Sequence, residues 1–80
     1  MHLGLEGQNI AVLGSSQGIG RAIAEGFVAE GGRVRGFDRT PGDGLDTTVG
    51  DVTAFADVKA FADTFAAIDL VIFSVGAGSG

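Results

Sequence analysis

The chain has 80 residues, 45% of them apolar and 15 of them glycine, with no cysteine and a net charge of −5 at neutral pH. That length bounds it to one small domain, burying only about 60% of the surface that its unfolded chain exposes. Its acidity and five dispersed basic residues argue against a nucleic-acid partner, whose phosphates are bound by clustered Lys and Arg. The absence of thiols excludes disulfides, thiolate chemistry and the usual zinc sites, and fits a reducing, cytoplasmic setting.

Nothing in the chain approaches the roughly 18 consecutive apolar residues of a membrane span. The N-terminus lacks the basic and apolar regions of a signal peptide, so no membrane association is expected. Residues 1–7 read as a lead-in, with Leu3 and Leu5 as apolar anchors and Gly7 turning the chain into a first strand over 8–13. His2 sits beside Met1 and is assigned no role. Three glycines follow in the stretch Gly14-Ser15-Ser16-Gln17-Gly18-Ile19-Gly20, and then a helix over 21–30. Ile19, Ile23 and Phe27 at four-residue spacing, with Ala22 and Ala29 beside them, predict its apolar side.

The helix is expected to stop at Gly31-Gly32, a pair suited to a left-handed C-terminal cap, before a second strand over 33–37. Between Asp38 and Thr47, Pro41 and several Gly and Asp turn residues replace any helical period, which predicts a loop in place of a crossover helix. A short third strand is expected over 48–50. Thr53 is the expected N-cap of a second helix running to Ala66, with Val58, Phe61, Ala62 and Phe65 inward and Asp57, Lys59 and Asp63 outward. Residues 70–73 predict a fourth strand, followed by a glycine-rich tail.

Strands alternating with helices at these lengths imply an α/β fold. The expected architecture is a Rossmann-like open parallel sheet in strand order 3-2-1-4 with helices on both faces, truncated, so that residues 1–80 form a single partial dinucleotide-binding domain. A ligand crevice is expected at the carboxyl ends of strands one and four, where the order reverses. Gly14 to Gly20 and Ser74 to Gly76 both fall there.

A strand-to-helix turn carrying Gly14, Gly18 and Gly20 lets backbone amides approach an anion at the positive end of a helix, a cradle for a pyrophosphate. The plainer reading is a tight turn that only serves helix packing. Asp38, at the end of the second strand, is placed to accept hydrogen bonds from two ribose hydroxyls and would repel a ribose phosphate; its plainer reading is a turn carboxylate. Arg39 could instead pair with such a phosphate, and NAD is preferred to NADP on this balance. The Gly-x-Gly-x-x-Gly fingerprint fails on this chain, and the phosphate-loop lysine motif is absent. Ser15, Ser16, Ser74 and Ser79 have no histidine to activate them, and the carboxylates show no metal-ligand spacing.

The spacing of Gly14, Gly18-Ile19-Gly20, then Arg21-Ala22-Ile23-Ala24, Asp38, Asp51-Val52 and Ile68-Asp69-Leu70-Val71-Ile72, after the lead-in Leu5-Glu6-Gly7, resembles the short-chain dehydrogenase/reductase family across nearly the whole chain. The resemblance implies a cofactor-binding set of Gly14, Ser16, Gln17, Gly18, Ile19, Gly20, Asp38 and Arg39, with Asp51 and Val52 at the adenine ring and Ser74, Val75 and Gly76 near the cofactor ribose. Two departures stand out. The family's Asn-Asn-Ala-Gly is replaced by Phe73-Ser74-Val75-Gly76, with Ser74 in the place of one Asn. The Tyr and Lys that carry the family's chemistry have no counterpart, since the chain has no tyrosine and its one lysine, Lys59, falls on the outer side of the second helix.

Three functional readings follow. The first is the NAD-binding half of an oxidoreductase, whose hydride transfer requires a further, catalytic half. The second is a truncated or engineered nucleotide-binding module without turnover, forming a homo-oligomer through the apolar edge of Leu70, Val71, Ile72 and Phe73. The third is an S-adenosylmethionine-binding domain, which the glycine spacing fits less well.

Overall fold

An unbroken apolar run forms the central strand β1 (Asn9–Leu13), whose residues Ile10 to Leu13 are all buried. A strand buried on both faces belongs in the middle of a parallel sheet. The computed structural model describes residues 6–16, 18–42 and 44–74, and in it β1 pairs in parallel with β2 (Arg33–Asp38) on one side and with β4 (Leu70–Phe73) on the other. The short β3 (Thr47–Val49) pairs with the second half of β2, from Gly36 onward. The sheet therefore runs β3-β2-β1-β4 in parallel, a Rossmann-like arrangement with the expected order and one helix on each face. The switch point lies between β1 and β4.

Alternation along β1 divides the core in two. Ile10 and Val12 face helix α1 (Gly18–Ala29) and pack with Ala24, with Phe27, Val34, Leu45, Leu70 and Ile72 around them. Ala11 and Leu13 face helix α2 (Phe55–Asp63) and pack with Phe37 and Phe61, flanked by Val52, Val58 and Phe65. Phe61 lies between Phe37 and Phe65, tilted against the first and edge-to-face with the second, with ring centroids 5.1 and 5.3 Å away. Burying one such ring contributes about 2–3 kcal/mol. The Arg35 guanidinium lies 4.8 Å over the Phe65 ring and donates to the Thr64 carbonyl and hydroxyl, which fastens the end of α2 to β2.

Several local readings shift. The buried face of α1 centres on Gly20 and Ala24, with Ile23 and Phe27 half-buried, while Ala22 and Ala29 are exposed and Ile19 is 75% exposed. The helix lies so close to β1 that a Cβ on Gly20 would collide with the Gly14 carbonyl, so only the smallest side chains fit the contact. Its C-terminus is the expected one: Gly32 N–H donates to Phe27 O and Gly31 N–H to Val28 O, the paired bonds of a Schellman cap.

Helix α2 starts after Thr53 and stops at Asp63 rather than Ala66. Ala54 holds the N-cap position without a side-chain bond, because Thr53 is committed to Asp51. At the other end the Thr64 hydroxyl donates to Phe61 O, and the amides of Thr64 and Phe65 bond three residues back, tightening the last turn and ending the helix. Residues 39–42 and 44–46 form no helix or strand, as expected of a loop. Leu45 reaches from it onto the α1-side core in place of a crossover helix.

Candidate functional site

The carboxyl ends of the strands bring together the glycine turn, the end of β2 and the turn after β3. Gly14 leaves β1 with φ +90°, and Gly18 enters α1 with φ +65°, backbone that L side chains rarely adopt. Among the described residues, chain neighbours and the helix's own backbone aside, no atom lies within 4 Å of where a Gly18 Cβ would stand, so this side of the turn is unobstructed by them. Gly18 and Ile19 are exposed. As first-turn residues they have amides without intrahelical acceptors, at the positive end of a 12-residue helix. An unobstructed side, unpaired donors and a helix dipole together suit a pyrophosphate.

Asp38 ties this turn to β2. Its Oδ2 accepts from the Ser16 amide at 2.9 Å, and its Oδ1 from the Arg39 amide at 2.7 Å. A carboxylate oxygen can accept more than one hydrogen bond, so both retain capacity for ribose hydroxyls. The Ser16 hydroxyl donates to the Thr40 carbonyl, drawing the loop after β2 against the glycine turn. Gly42 is buried there; a Cβ on it would come within 2.9 Å of Thr47 Oγ1 and 3.4 Å of Ser16 Oγ. Below them Ser15 is wholly buried against Gly36, and its hydroxyl has no partner among the described residues.

At the end of β3, Asp51 shapes its own turn. Its Oδ1 accepts from the Thr53 amide at 2.8 Å and the Thr53 hydroxyl at 2.7 Å, while the Asp51 amide donates to Asp57 Oδ2. The hydrogen bonds from Thr53 hold the Asp51 carboxyl below its ordinary value, and the positive charge of Arg39 adds a smaller push in the same direction. Val52 is half-buried against the Phe37–Phe61 cluster. The plainer reading of Asp51, a carboxylate capping the entry to a helix, accounts for its bonds to Thr53.

On the other side of the switch point the Ser74 amide donates to Leu13 O at 2.9 Å, continuing the β4–β1 ladder. Ser74 Oγ lies 2.9 Å from the position of a Gly20 Cβ, which puts it beside the first turn of α1. Gln17, Val75 and Gly76, which complete the expected set, lie outside the described residues. The structure thus gathers Gly14, Ser16, Gly18, Ile19, Gly20 and Ser74 around the start of α1, with Asp38, Arg39, Asp51 and Val52 along the ends of β2 and β3. Lys59 is remote from this crevice in its bonding, paired with Asp63 at 2.8 Å on the exposed side of α2.

Sequence reasoning weighed Ser15 only as a nucleophile and gave no place in the site to Gly36, Gly42 or the Thr40 carbonyl. A signal for one of them was present, since an isolated glycine inside a strand marks a close approach: a Cβ on Gly36 would collide with the Ser15 side chain. A cleft of about 370 Å³ lined by Asn9, Arg33, Arg35, Asp46 and Phe65 opens at the amino ends of the strands, away from all of these groups. No described helix is long and apolar enough to cross a membrane.

No protein-family model matches the sequence, and no curated relative does. Solved structures do. The ligand-free aldohexose dehydrogenase of Thermoplasma acidophilum superposes with a TM-score of 0.84 at 35% identity, over 90% of this chain and 31% of that one. A C-terminal deletion mutant of the same enzyme matches at 44% identity with a TM-score of 0.69, over 75% of this chain and 27% of that one. The chain therefore spans less than a third of the length of these neighbours. Its fold is that of part of a dehydrogenase, which supports an oxidoreductase-like, nucleotide-binding architecture.

Proposed function

We propose that the chain is the cofactor-binding portion of a short-chain dehydrogenase/reductase-like oxidoreductase, and that it binds NAD in preference to NADP. In this reading the pyrophosphate rests over the start of α1, on the turn of Gly14, Ser16, Gln17, Gly18, Ile19 and Gly20. The adenosine ribose is held by Asp38, the adenine lies toward Asp51 and Val52, and the other ribose lies toward Ser74, Val75 and Gly76. The observation that carries the reading is the position of the Asp38 carboxylate. It is bonded to the amide of Ser16 in the glycine turn, and so stands one strand over from the place where a pyrophosphate fits.

A bound nicotinamide would supply the hydride acceptor or donor. These residues bind and orient it. Ser16 and Arg39 amides fix the carboxylate that grips the sugar, and the Gly20–Gly14 contact fixes the helix that faces the phosphates. None of the described side chains forms a general acid–base pair beside this crevice, so oxidation or reduction of a substrate is proposed for an assembly that adds one.

Titration of the 80-residue chain with NAD⁺ in a calorimeter tests the reading. Saturable heat and a rise in Tm are expected, since a ligand that binds only the folded state stabilises it. Asp38→Ala should weaken binding about 10- to 100-fold, the range for hydrogen bonds to a charged group. Absence of heat and of any Tm rise at millimolar NAD⁺ would overturn it. The exposed Val71 and Phe73 of β4 favour a second reading, an oligomerising module, which the same sample tests by its mass in solution.

A further inference from the structure

We infer that the cleft at the amino ends of β1 and β2 is a binding site for a phosphate group, at the opposite end of the sheet from the crevice described above. The inference goes beyond the proposed function and does not depend on it. Charge singles this cleft out. Of the five basic residues in an acidic chain, Arg21 pairs with Glu25 and Lys59 with Asp63, whereas Arg33 and Arg35 form no ion pair with a carboxylate among the described residues. Both lie on β2 two positions apart, so their side chains leave the same face of the sheet. Asn9 stands opposite Arg33 in the β1–β2 register and shares that face. All three line a cavity of about 370 Å³, with Thr64 and Phe65 from the end of α2 forming one wall.

The guanidinium of Arg35 is already set in place. It lies 4.8 Å from the centre of the Phe65 ring, and its Nη1 donates to the Thr64 carbonyl and hydroxyl. Its Nε–Nη2 edge remains, a fork whose geometry matches two oxygens of an oxyanion. Little rotamer freedom is left to lose when that edge binds. Arg33 is exposed, and its guanidinium has no hydrogen-bond partner among the described residues. The side-chain amide of Asn9 likewise has none, since its bond to the Asp69 carboxylate is made by the backbone N–H.

Three donor groups thus line one cleft, two of them cationic. A carboxylate is satisfied by a single fork, whereas a phosphate presents three or more acceptor oxygens and close to two charges, and so can use both arginines at once. Two carboxylates limit the attraction. Asp46 lines the cleft, and Asp69 flanks Asn9, whose amide meets part of its charge. The carbonyl end of α2 is negative as well, but Arg35 covers the Thr64 carbonyl. With exposed charges of both signs, a Kd of about 1 mM is expected. Asp46 also offers an acceptor for hydroxyls on a phosphate ester that fills the remaining volume.

The test titrates the ¹⁵N-labelled chain with inorganic phosphate and, separately, with glycerol 3-phosphate at low ionic strength, following the amide resonances by NMR. Saturable shifts centred on Asn9, Arg33, Arg35, Thr64 and Phe65 are expected. Arg33→Gln changes an exposed side chain and should weaken binding about fivefold. Arg35→Lys keeps the charge but loses the fork, and should weaken it by a similar factor. Asp46→Asn removes a like charge and should tighten inorganic phosphate about two- to threefold. A preference of the parent for glycerol 3-phosphate that Asp46→Asn reduces makes a phosphate ester the ligand, and equal binding makes it the free ion; each supports the site. Shifts confined to the start of α1 overturn it, as does weaker phosphate binding by Asp46→Asn. An Arg33→Gln affinity within about 1.5-fold of the parent also overturns it, as does an absence of saturation up to about 20 mM. If Arg35→Lys does not fold, Arg33→Gln and Asp46→Asn still decide.

Discussion

The two sides of the switch point differ in how completely they are built. On the β2–β3 side, Asp38, Ser16, Thr40, Gly42 and Thr47 interlock through side-chain and backbone contacts, and Phe37 is buried beneath. On the β4 side only the face toward α1 is covered: Leu70 and Ile72 pack on Ile10, Val12 and Ala24, while Val71 is 44% exposed and Phe73 is 65% exposed. The difference teaches that the polar turn at the ends of β2 and β3 is organised by contacts within this chain, whereas the β4 flank turns apolar side chains outward. Both sides share one support, the close seating of α1 on β1 at Gly20.

The largest expected effect breaks that support. Gly20→Val places a branched side chain against the Gly14 carbonyl, a backbone atom that cannot rotate aside. Overpacking costs about 1–3 kcal/mol and occasionally more, and a clash with backbone belongs at the upper end, a large part of the roughly 5 kcal/mol at the lower end of domain stability. Thermal unfolding followed by circular dichroism should show the transition lost or shifted far down, and NAD⁺ binding lost with it. A variant that melts like the parent would mean that helix and strand are not in contact there.

A smaller effect sharpens the contrast. Phe73→Ser and Val71→Thr alter side chains on the open face, so each should change stability by no more than about 0.5 kcal/mol. An alanine at Leu13, which lies on the same sheet face but is buried with Phe37 and Phe61, should cost about 2–5 kcal/mol. Sedimentation should show weaker self-association in the β4 variants if that face pairs with another copy. Equal destabilisation by Phe73→Ser and Leu13→Ala would mean that β4 is covered after all.

How far the sequence discloses this arrangement depends on whether a feature is set by local chemistry or by packing. The alternation of strand and helix, the glycine turn, the cap at Gly31-Gly32 and the reversal of strand order all follow from periodicity and turn residues, and each is present. The orientation of α1 is not legible from periodicity alone. Of the stripe Ile19, Ile23 and Phe27, only Phe27 packs on the core and Ile19 turns outward, because the close seating of Gly20 and Ala24 on β1 sets the helix's rotation. Thr53 illustrates a second limit: its type suits an N-cap, but Asp51 two residues earlier offers its hydroxyl and amide a charged acceptor. The partners of Ser15 and Ser16 lie more than twenty residues away in Gly36, Asp38 and Thr40, and only the folded sheet brings them together.

The smallest expected effect separates the two sides by pH. The Asp51 carboxyl is held below its ordinary value of 3.8 mainly by the Thr53 hydroxyl and amide. A carboxylate with a depressed pKa in the folded state stabilises the fold fully above the unfolded pKa, and the contribution is lost as pH falls through the folded value. Thr53→Ala removes the hydroxyl and leaves the amide, so its stability deficit should be constant from neutral pH down to about 4 and should narrow below that. Strand β4, Leu70–Phe73, contains no titratable side chain, so the small effect of Phe73→Ser should stay level over the same range. Denaturant unfolding at a series of acid pH values checks both. If the Thr53→Ala deficit stayed level into strong acid, the hydroxyl would not be bonded to an ionised carboxylate, and the charge assigned to the ends of β2 and β3 would have to be redrawn.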